Sequence, residues 1–402
     1  MPSGPPPGDP APADGSLPDH ALVGLGQRPF GIYIHVPYCA HRCGYCDFNT
    51  YVDTSGAVAS YVDAAVAELR LARRVLGEQA PAVSTVFVGG GTPTLLPVGD
   101  LVRLLAAVRE TFGLEDDAEV TTEANPESVD AAYLSQLRDG GYTRLSFGMQ
   151  STRPHVLAVL ERRHTPGRPE QCVAWARAAG FEQVSLDLIY GTPGESDEDW
   201  AASVRAAVDA RPDHISAYGL TVEPGTRLHA QVSRGELESP DDDTLADRYV
   251  MADELLTGAG YGWYEISNWA RDEGAWCRHN IGYWRDGDWW GVGPGAHSHC
   301  GGVRWWNVRL PVDHAAALAV GRSPAQAREQ LDPESRRVER ILLGVRLVGG
   351  HPVADLTPAG WVAAQRFAAE GLLHAGELSK GAVVLRRRGR LLADLVVHGL
   401  VS

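Results

Sequence analysis

The chain has 402 residues, 44% of them hydrophobic, enough for one large domain with smaller units attached. Its formal charge of −15 argues against a duplex-binding protein, which needs a basic face against phosphates, and no nucleic-acid partner is expected. No apolar stretch reaches the roughly 18 residues of a membrane helix, and no signal peptide is visible, so the chain is expected to stay in the cytoplasm.

Residues 1–26 are rich in Pro, Gly, Ala and Asp. Such a segment buries too little apolar surface to offset its ordering entropy, which predicts a disordered tail. Residues 27–240 then alternate between two periods. Gly31 to Val36 reads as a strand, Ser60 to Leu76 as an amphipathic helix, and Val83 to Val88 as a strand ending in Gly89-Gly90-Gly91. Helices are predicted at 101–112, 131–137, 171–179 and 200–210, and strands at 119–123, 144–149, 184–189 and 214–220. Six strand–helix units in series predict parallel strands with right-handed crossovers, an α/β fold of open or closed barrel type. Polar or Gly-rich residues recur at the strand C-termini, the rim that carries chemistry in such barrels.

Beyond the barrel the composition changes. Residues 241–325 form an extension in which eight of the eleven tryptophans fall between Tyr261 and Trp306. Residues 326–402 read as a small winged-helix-like domain: two helices, then a β pair of Val383-Val384-Leu385 with Leu391-Leu392-Ala393. The run Arg386-Arg387-Arg388 reads as a solvated strand edge or turn.

Three of the six cysteines fall in Cys39-Ala-His-Arg-Cys43-Gly-Tyr-Cys46, directly after the first strand. In a reducing compartment this spacing points to a metal site rather than disulfides. Three thiolates on one loop can each hold one iron of a four-iron cluster, leaving the fourth iron open to a chelating ligand. A structural zinc loop, with His35 or His41 as fourth ligand, is the alternative.

The loop resembles that of radical S-adenosylmethionine proteins, and the resemblance runs through most of the chain. It implies a 4Fe-4S cluster on Cys39, Cys43 and Cys46, with S-adenosyl-L-methionine beside it. It also implies a partial (β/α)6 TIM-like barrel with a C-terminal α+β extension. Gly90, Gly91 and Thr92 match the family's glycine-rich strand end, where backbone must approach the ligand closely. Tyr33, Glu123, Gln150, Arg162 (with Arg163 as neighbour) and Asp187 match further cofactor contacts.

Within that family the sequence is similar to the group holding oxygen-independent coproporphyrinogen III dehydrogenase and a heme chaperone. The dehydrogenase carries a cysteine where this chain has Phe48, and a longer ordered N-terminal segment. His279-Asn280-Ile281-Gly282-Tyr283-Trp284 matches the chaperone's H-N-x-x-Y-W motif. A neutral imidazole can ligate heme iron and aromatic rings can pack on a porphyrin. His279 is therefore the expected heme ligand, with Cys277, His297 and His299 as rivals. The resemblance implies heme as cargo, an apo-hemoprotein acceptor such as a membrane-bound respiratory cytochrome, and a homodimer as a further assembly. It leaves open whether the chain is an enzyme; porphyrinogen decarboxylation and a purely regulatory cluster protein are the competing readings.

Overall fold

The computed structural model describes residues 7–52 and 58–402. Six strands, Phe30–Val36, Val83–Gly90, Leu114–Ala124, Arg144–Gln150, Gln183–Tyr190 and His214–Gly219, pair in sequence order and all in parallel. The helices Val58–Leu76, Val98–Phe112, Ala131–Asp139, Arg168–Ala178 and Asp197–Asp209 follow successive strands. The alternation explains itself on the first strand. Phe30, Ile32, Ile34 and Val36 are buried in the main core, each such side chain contributing about 2 kcal/mol. The intervening Gly31, Tyr33 and His35 face the barrel interior, where Tyr33 meets Phe87 and His279.

The extension does not form a separate layer. Strand Asp288–Val292 adds in parallel to Phe30–Val36. Strands His297–Cys300, Val303–Asn307 and Ala325–Gln330 continue outward from it in antiparallel order. On the opposite edge, Asn268–Ala270 pairs with His214–Gly219 and carries Gly262–Glu265. The result is one sheet of 13 strands among the described residues.

The reading of 1–26 as a disordered tail is corrected for its described part. Asp9–Pro10 pairs with Arg328 and Ala327, and the Ser323 N–H donates to the Ala13 carbonyl at 2.8 Å. Ala21 is buried, and its carbonyl accepts from Cys300 Sγ at 3.3 Å. Composition missed this because it asks whether a segment can build its own core; here Leu17, Leu22 and Leu25 pack on a core already formed.

The C-terminal unit has its own core, around Ile341, Phe367, Leu372, Val383, Val396 and Leu400. Its β pair differs from the expected one. Ala382–Val383 pairs with His351–Pro352, while Leu391 ends a short helix and Ala393–Val401 is helical. Ala393, Val396, Val397 and Leu400 are its buried positions, a helical period that a three-residue window hides. The arginine run is solvated as expected, Arg386, Arg387 and Arg388 all being exposed, but it opens the short helix Arg387–Leu391 instead of a strand edge or turn. Arg387 pairs with Glu254 at 3.1 Å, and the nearby Arg390 pairs with Asp253 and stacks over Trp263.

Candidate functional site

Tyr38–Cys39 pairs with Tyr51–Val52, so the cysteine loop leaves and rejoins the barrel at one point. Inside it the Cys46 N–H donates to the Cys43 carbonyl at 3.2 Å, forming a turn. Gly44 sits where a Cβ would meet Glu161 at 3.1 Å, and its carbonyl accepts from the Leu228 N–H at 2.8 Å. Cys39, Cys43 and Cys46 all line a cavity of about 1310 Å³ at the C-terminal mouth of the barrel.

The residues around these thiols suit a bound cluster. The Thr92 hydroxyl donates to Cys39 Sγ at 3.8 Å, and Arg162 Nη1 approaches Cys43 Sγ at 3.6 Å. The buried Thr50 hydroxyl has no conventional partner and faces the Cys39 and Cys46 sulfurs. Burial pushes the Cys39 thiol up and the Cys46 thiol up to about 11, a cost that the charge of a bound metal would offset. Among the described residues no three His, Cys, Asp or Glu side chains converge on a single ion.

The glycine strand end lies against the loop. A Cβ on Gly90, whose φ is +108°, would stand 2.6 Å from the His35 ring; one on Gly91 would stand 2.5 Å from the Tyr38 carbonyl oxygen. Only glycine fits at both. The Gly90 N–H donates to Glu123 Oε2 at 3.0 Å. Burial, then the nearby Asp187 charge, raise the Glu123 carboxyl to about 7. Asp187 is itself raised by burial, against hydrogen bonds from Ser216 at 2.7 Å and Ser146 at 2.8 Å. Gln150 adopts φ 63° at a bulge in its strand and lines the same cavity. Arg162 is anchored by Nη2 to the Gly148 carbonyl at 3.1 Å; Arg163 also lines the cavity and is exposed.

Gly90, Gly91, Thr92, Glu123, Gln150, Arg162 and Asp187 thus converge with the three cysteines. Tyr33 does not line the cavity. Its hydroxyl bonds His35 Nδ1 at 3.0 Å, one layer deeper in the barrel. Sequence reading weighed His35 only as a zinc ligand. Its Nε2 instead bonds the Asn49 carbonyl at 2.9 Å, and burial lowers it to about 4, so it is a neutral strut under the loop. The signal was present as a second interior-facing residue at i+2 from Tyr33.

His279, the expected heme ligand, is enclosed in this structure. His279 sits at the barrel floor, at the opposite end from the cysteines, and is 3% exposed. Its Nδ1 bonds the Thr85 hydroxyl at 2.7 Å and its Nε2 bonds the Tyr283 hydroxyl at 2.8 Å. Its ring stacks on Phe87. Both nitrogens are engaged, and burial lowers the group to about 3. His279 and Tyr283, at i and i+4 of helix Arg278–Trp284, face inward together. Cys277 is equally enclosed, against Glu119 at 3.7 Å. His299 bonds the Gly287 carbonyl and the Gly302 N–H. His297 differs: it is exposed, and its ring stacks on Trp306 with centroids 5.8 Å apart.

An open parallel α/β barrel with a C-x3-C-x2-C loop over a glycine strand end defines a radical S-adenosylmethionine protein, and the Radical SAM superfamily pattern matches residues 33–207. The solved structure of coproporphyrinogen III oxidase (HemN) from Escherichia coli superposes with a TM-score of 0.82. It covers 97% of this chain and 94% of that one at 23% identity, a likeness of fold. The heme chaperone HemW of Mycobacterium tuberculosis is 52% identical over 95% of this chain and 97% of its own length. HemW of Bacillus subtilis is 33% identical over 90% and 97%. The chain belongs to the HemW family of heme chaperones within the radical SAM superfamily. Among the described residues no helix is long and apolar enough to cross a membrane.

Proposed function

We propose that this chain carries heme and passes it to an apo-hemoprotein, with a 4Fe-4S cluster on Cys39, Cys43 and Cys46. S-adenosyl-L-methionine would lie against Gly90–Thr92, Glu123, Gln150, Arg162 and Asp187. A reduced cluster supplies an electron that can cleave a carbon–sulfur bond of that cofactor. The chain's own part is to hold the methionine end on glycine backbone and to shield the site. Arg162 provides positive charge beside Cys43, and Glu123 and Asp187 offer acceptors to the ribose or sulfonium side.

The 52% identity to a protein named as a heme chaperone, over nearly the whole of both chains, carries this reading. Two local features favour it over porphyrinogen decarboxylation. Phe48 occupies the position of the dehydrogenase's extra cysteine, and its side chain is 61% exposed. The described N-terminal strap packs on Ala325–Gln330, and none of its residues lines the mouth cavity. Of the four sequence candidates for heme ligation, His297 alone combines exposure with an aromatic neighbour, and we assign the axial role to it. The acceptor and a homodimer remain part of the proposal, as partners the family implies.

The test is one anaerobically reconstituted preparation assayed twice. Heme should bind in about one-to-one ratio, with His297→Ala altering the Soret band and speeding heme loss. Coproporphyrinogen III should not be converted. Multiple turnovers with a physiological reductant would sink the chaperone reading, and an unchanged spectrum in His297→Ala would remove that ligand.

A further inference from the structure

The turn Gly293-Pro294-Gly295, which precedes His297, has a role that heme ligation does not explain. It is seated on the cysteine loop through one side chain. Asn49, three residues after Cys46, donates from Nδ2 to the Pro294 carbonyl at 3.0 Å and to the Arg309 carbonyl at 2.9 Å. Its Oδ1 accepts from the Tyr51 hydroxyl at 3.2 Å and from Arg309 Nε at 3.3 Å. A side-chain amide offers two donors and an acceptor with two lone pairs, and all four positions are used. The Asn49 main-chain carbonyl accepts from His35 on the barrel side.

The turn is shaped for this contact. Gly295 has φ +73°, and a Cβ there would stand 2.7 Å from Asn49 Nδ2. Gly293 has φ +108°, and a Cβ there would stand 2.5 Å from the His35 carbonyl oxygen. The far side of the turn is held independently. The Gly293 N–H donates to Glu68 Oε2 at 2.8 Å, and Asn307 Nδ2 bonds Glu68 Oε1 at 2.7 Å and the Gly293 carbonyl at 2.9 Å. His314 completes that buried set against Glu68 at 2.7 Å.

We infer that Asn49 is a positioning residue that makes cluster retention by the cysteine loop and the order of the Gly293–Arg309 segment mutually dependent. The inference rests on the cluster assignment above. A loaded cluster fixes Cys46, and three residues of chain carry that constraint to Asn49 and across the seam. Linkage makes the effect reciprocal: loosening the segment loosens the loop by the same factor. Because the segment holds His297, loss of iron would be felt where heme is proposed to sit.

The experiment compares amide hydrogen exchange in reconstituted and chelator-stripped protein, with iron loss in air as a second readout. In wild type, stripping should raise exchange in residues 39–52 and also in residues 293–309. In Asn49→Ala the second segment should exchange fast even when iron is bound, stripping should add little, and iron loss should run about 5- to 20-fold faster. Asn49→Asp, which keeps the acceptor and loses the donors, should fall between. Gly295→Ala attacks the seam from the other side and serves if Asn49→Ala folds poorly; it too should speed iron loss, although it lies far from the cysteines in sequence. Wild type that loads iron yet shows the same exchange at 293–309 with and without it overturns the inference alone. So does iron retention like wild type in both variants. Wild type that takes up no iron overturns the cluster assignment and this inference with it.

Discussion

The two ends of the barrel are built from the same strands and solve opposite problems. At the floor the chemistry-bearing residues find their partners within the barrel. Glu119 accepts from the Arg278 and His279 N–H groups at 3.0 and 3.1 Å. Arg144 bonds the Ala275 carbonyl at 2.8 Å, and His214 is held between Ser185 and Tyr264. At the mouth, thiols, a hydroxyl and two raised carboxyls are left facing a cavity. The floor is a polar plug and the mouth is a receptor. The comparison teaches that a histidine in a family motif belongs to whichever end its partners occupy, since a saturated imidazole holds structure and an open one binds.

The comparison can be broken from either side. The largest effect belongs to the mouth: replacing Cys39, Cys43 and Cys46 together by Ala should abolish the charge-transfer absorption of reconstituted protein while far-ultraviolet circular dichroism stays put. Full iron content in that variant would remove the cluster from the loop. Next comes the floor. His279→Ala removes a packed ring and orphans the Thr85 and Tyr283 hydroxyls, so denaturant unfolding should show a loss of about 3 kcal/mol. Heme affinity measured under folding conditions should change less than twofold, and a large loss of affinity without a loss of stability would restore His279 as a ligand.

Smaller effects sharpen the picture at the mouth. Glu123→Ala should weaken S-adenosyl-L-methionine binding by at least about tenfold, or about 1.4 kcal/mol, with iron content unchanged, as titration calorimetry would read. The same carboxyl gives a pH signature in unloaded protein. Its folded value is raised from 4.5 to about 7, so the folded state holds its proton longer than the unfolded state does. Stability from this group is therefore greatest below 4.5 and declines as pH rises toward 7. Melting curves of Glu123→Gln should lack that decline, and an identical slope in both proteins would place the titration elsewhere. The smallest effect is expected at Cys172, whose thiol lies buried in helix Arg168–Ala178 against the Pro126 carbonyl at 3.5 Å. Cys172→Ala should keep the full iron complement.

Much of this was legible in the sequence because barrel strands and helices announce themselves through burial period. The cysteine loop and the glycine strand end were legible because they are local strings whose chemistry needs those residue types at that spacing. The pairing of the extension with both edges of the sheet was not, since strand partners such as Asp288–Val292 and Phe30–Val36 lie far apart in the chain. The enclosure of His279 was not legible for the same reason. It depends on Thr85 and Phe87, which no window around the motif contains. Asn49 carried little local signal, because apart from Tyr51 its side-chain partners lie some 250 residues on.

The two-residue strand Asp9–Pro10 has a consequence for handling the protein. It pairs with Ala325–Gln330, which would otherwise offer a row of free N–H and C=O groups to any neighbour. Pro10 brings no amide hydrogen and so gives a poor template for further pairing. The N-terminal strap thus acts as a stopper against edge-to-edge aggregation. Trimming the first 26 residues as dispensable should yield protein that still folds and loads iron, yet self-associates in light scattering as its concentration rises.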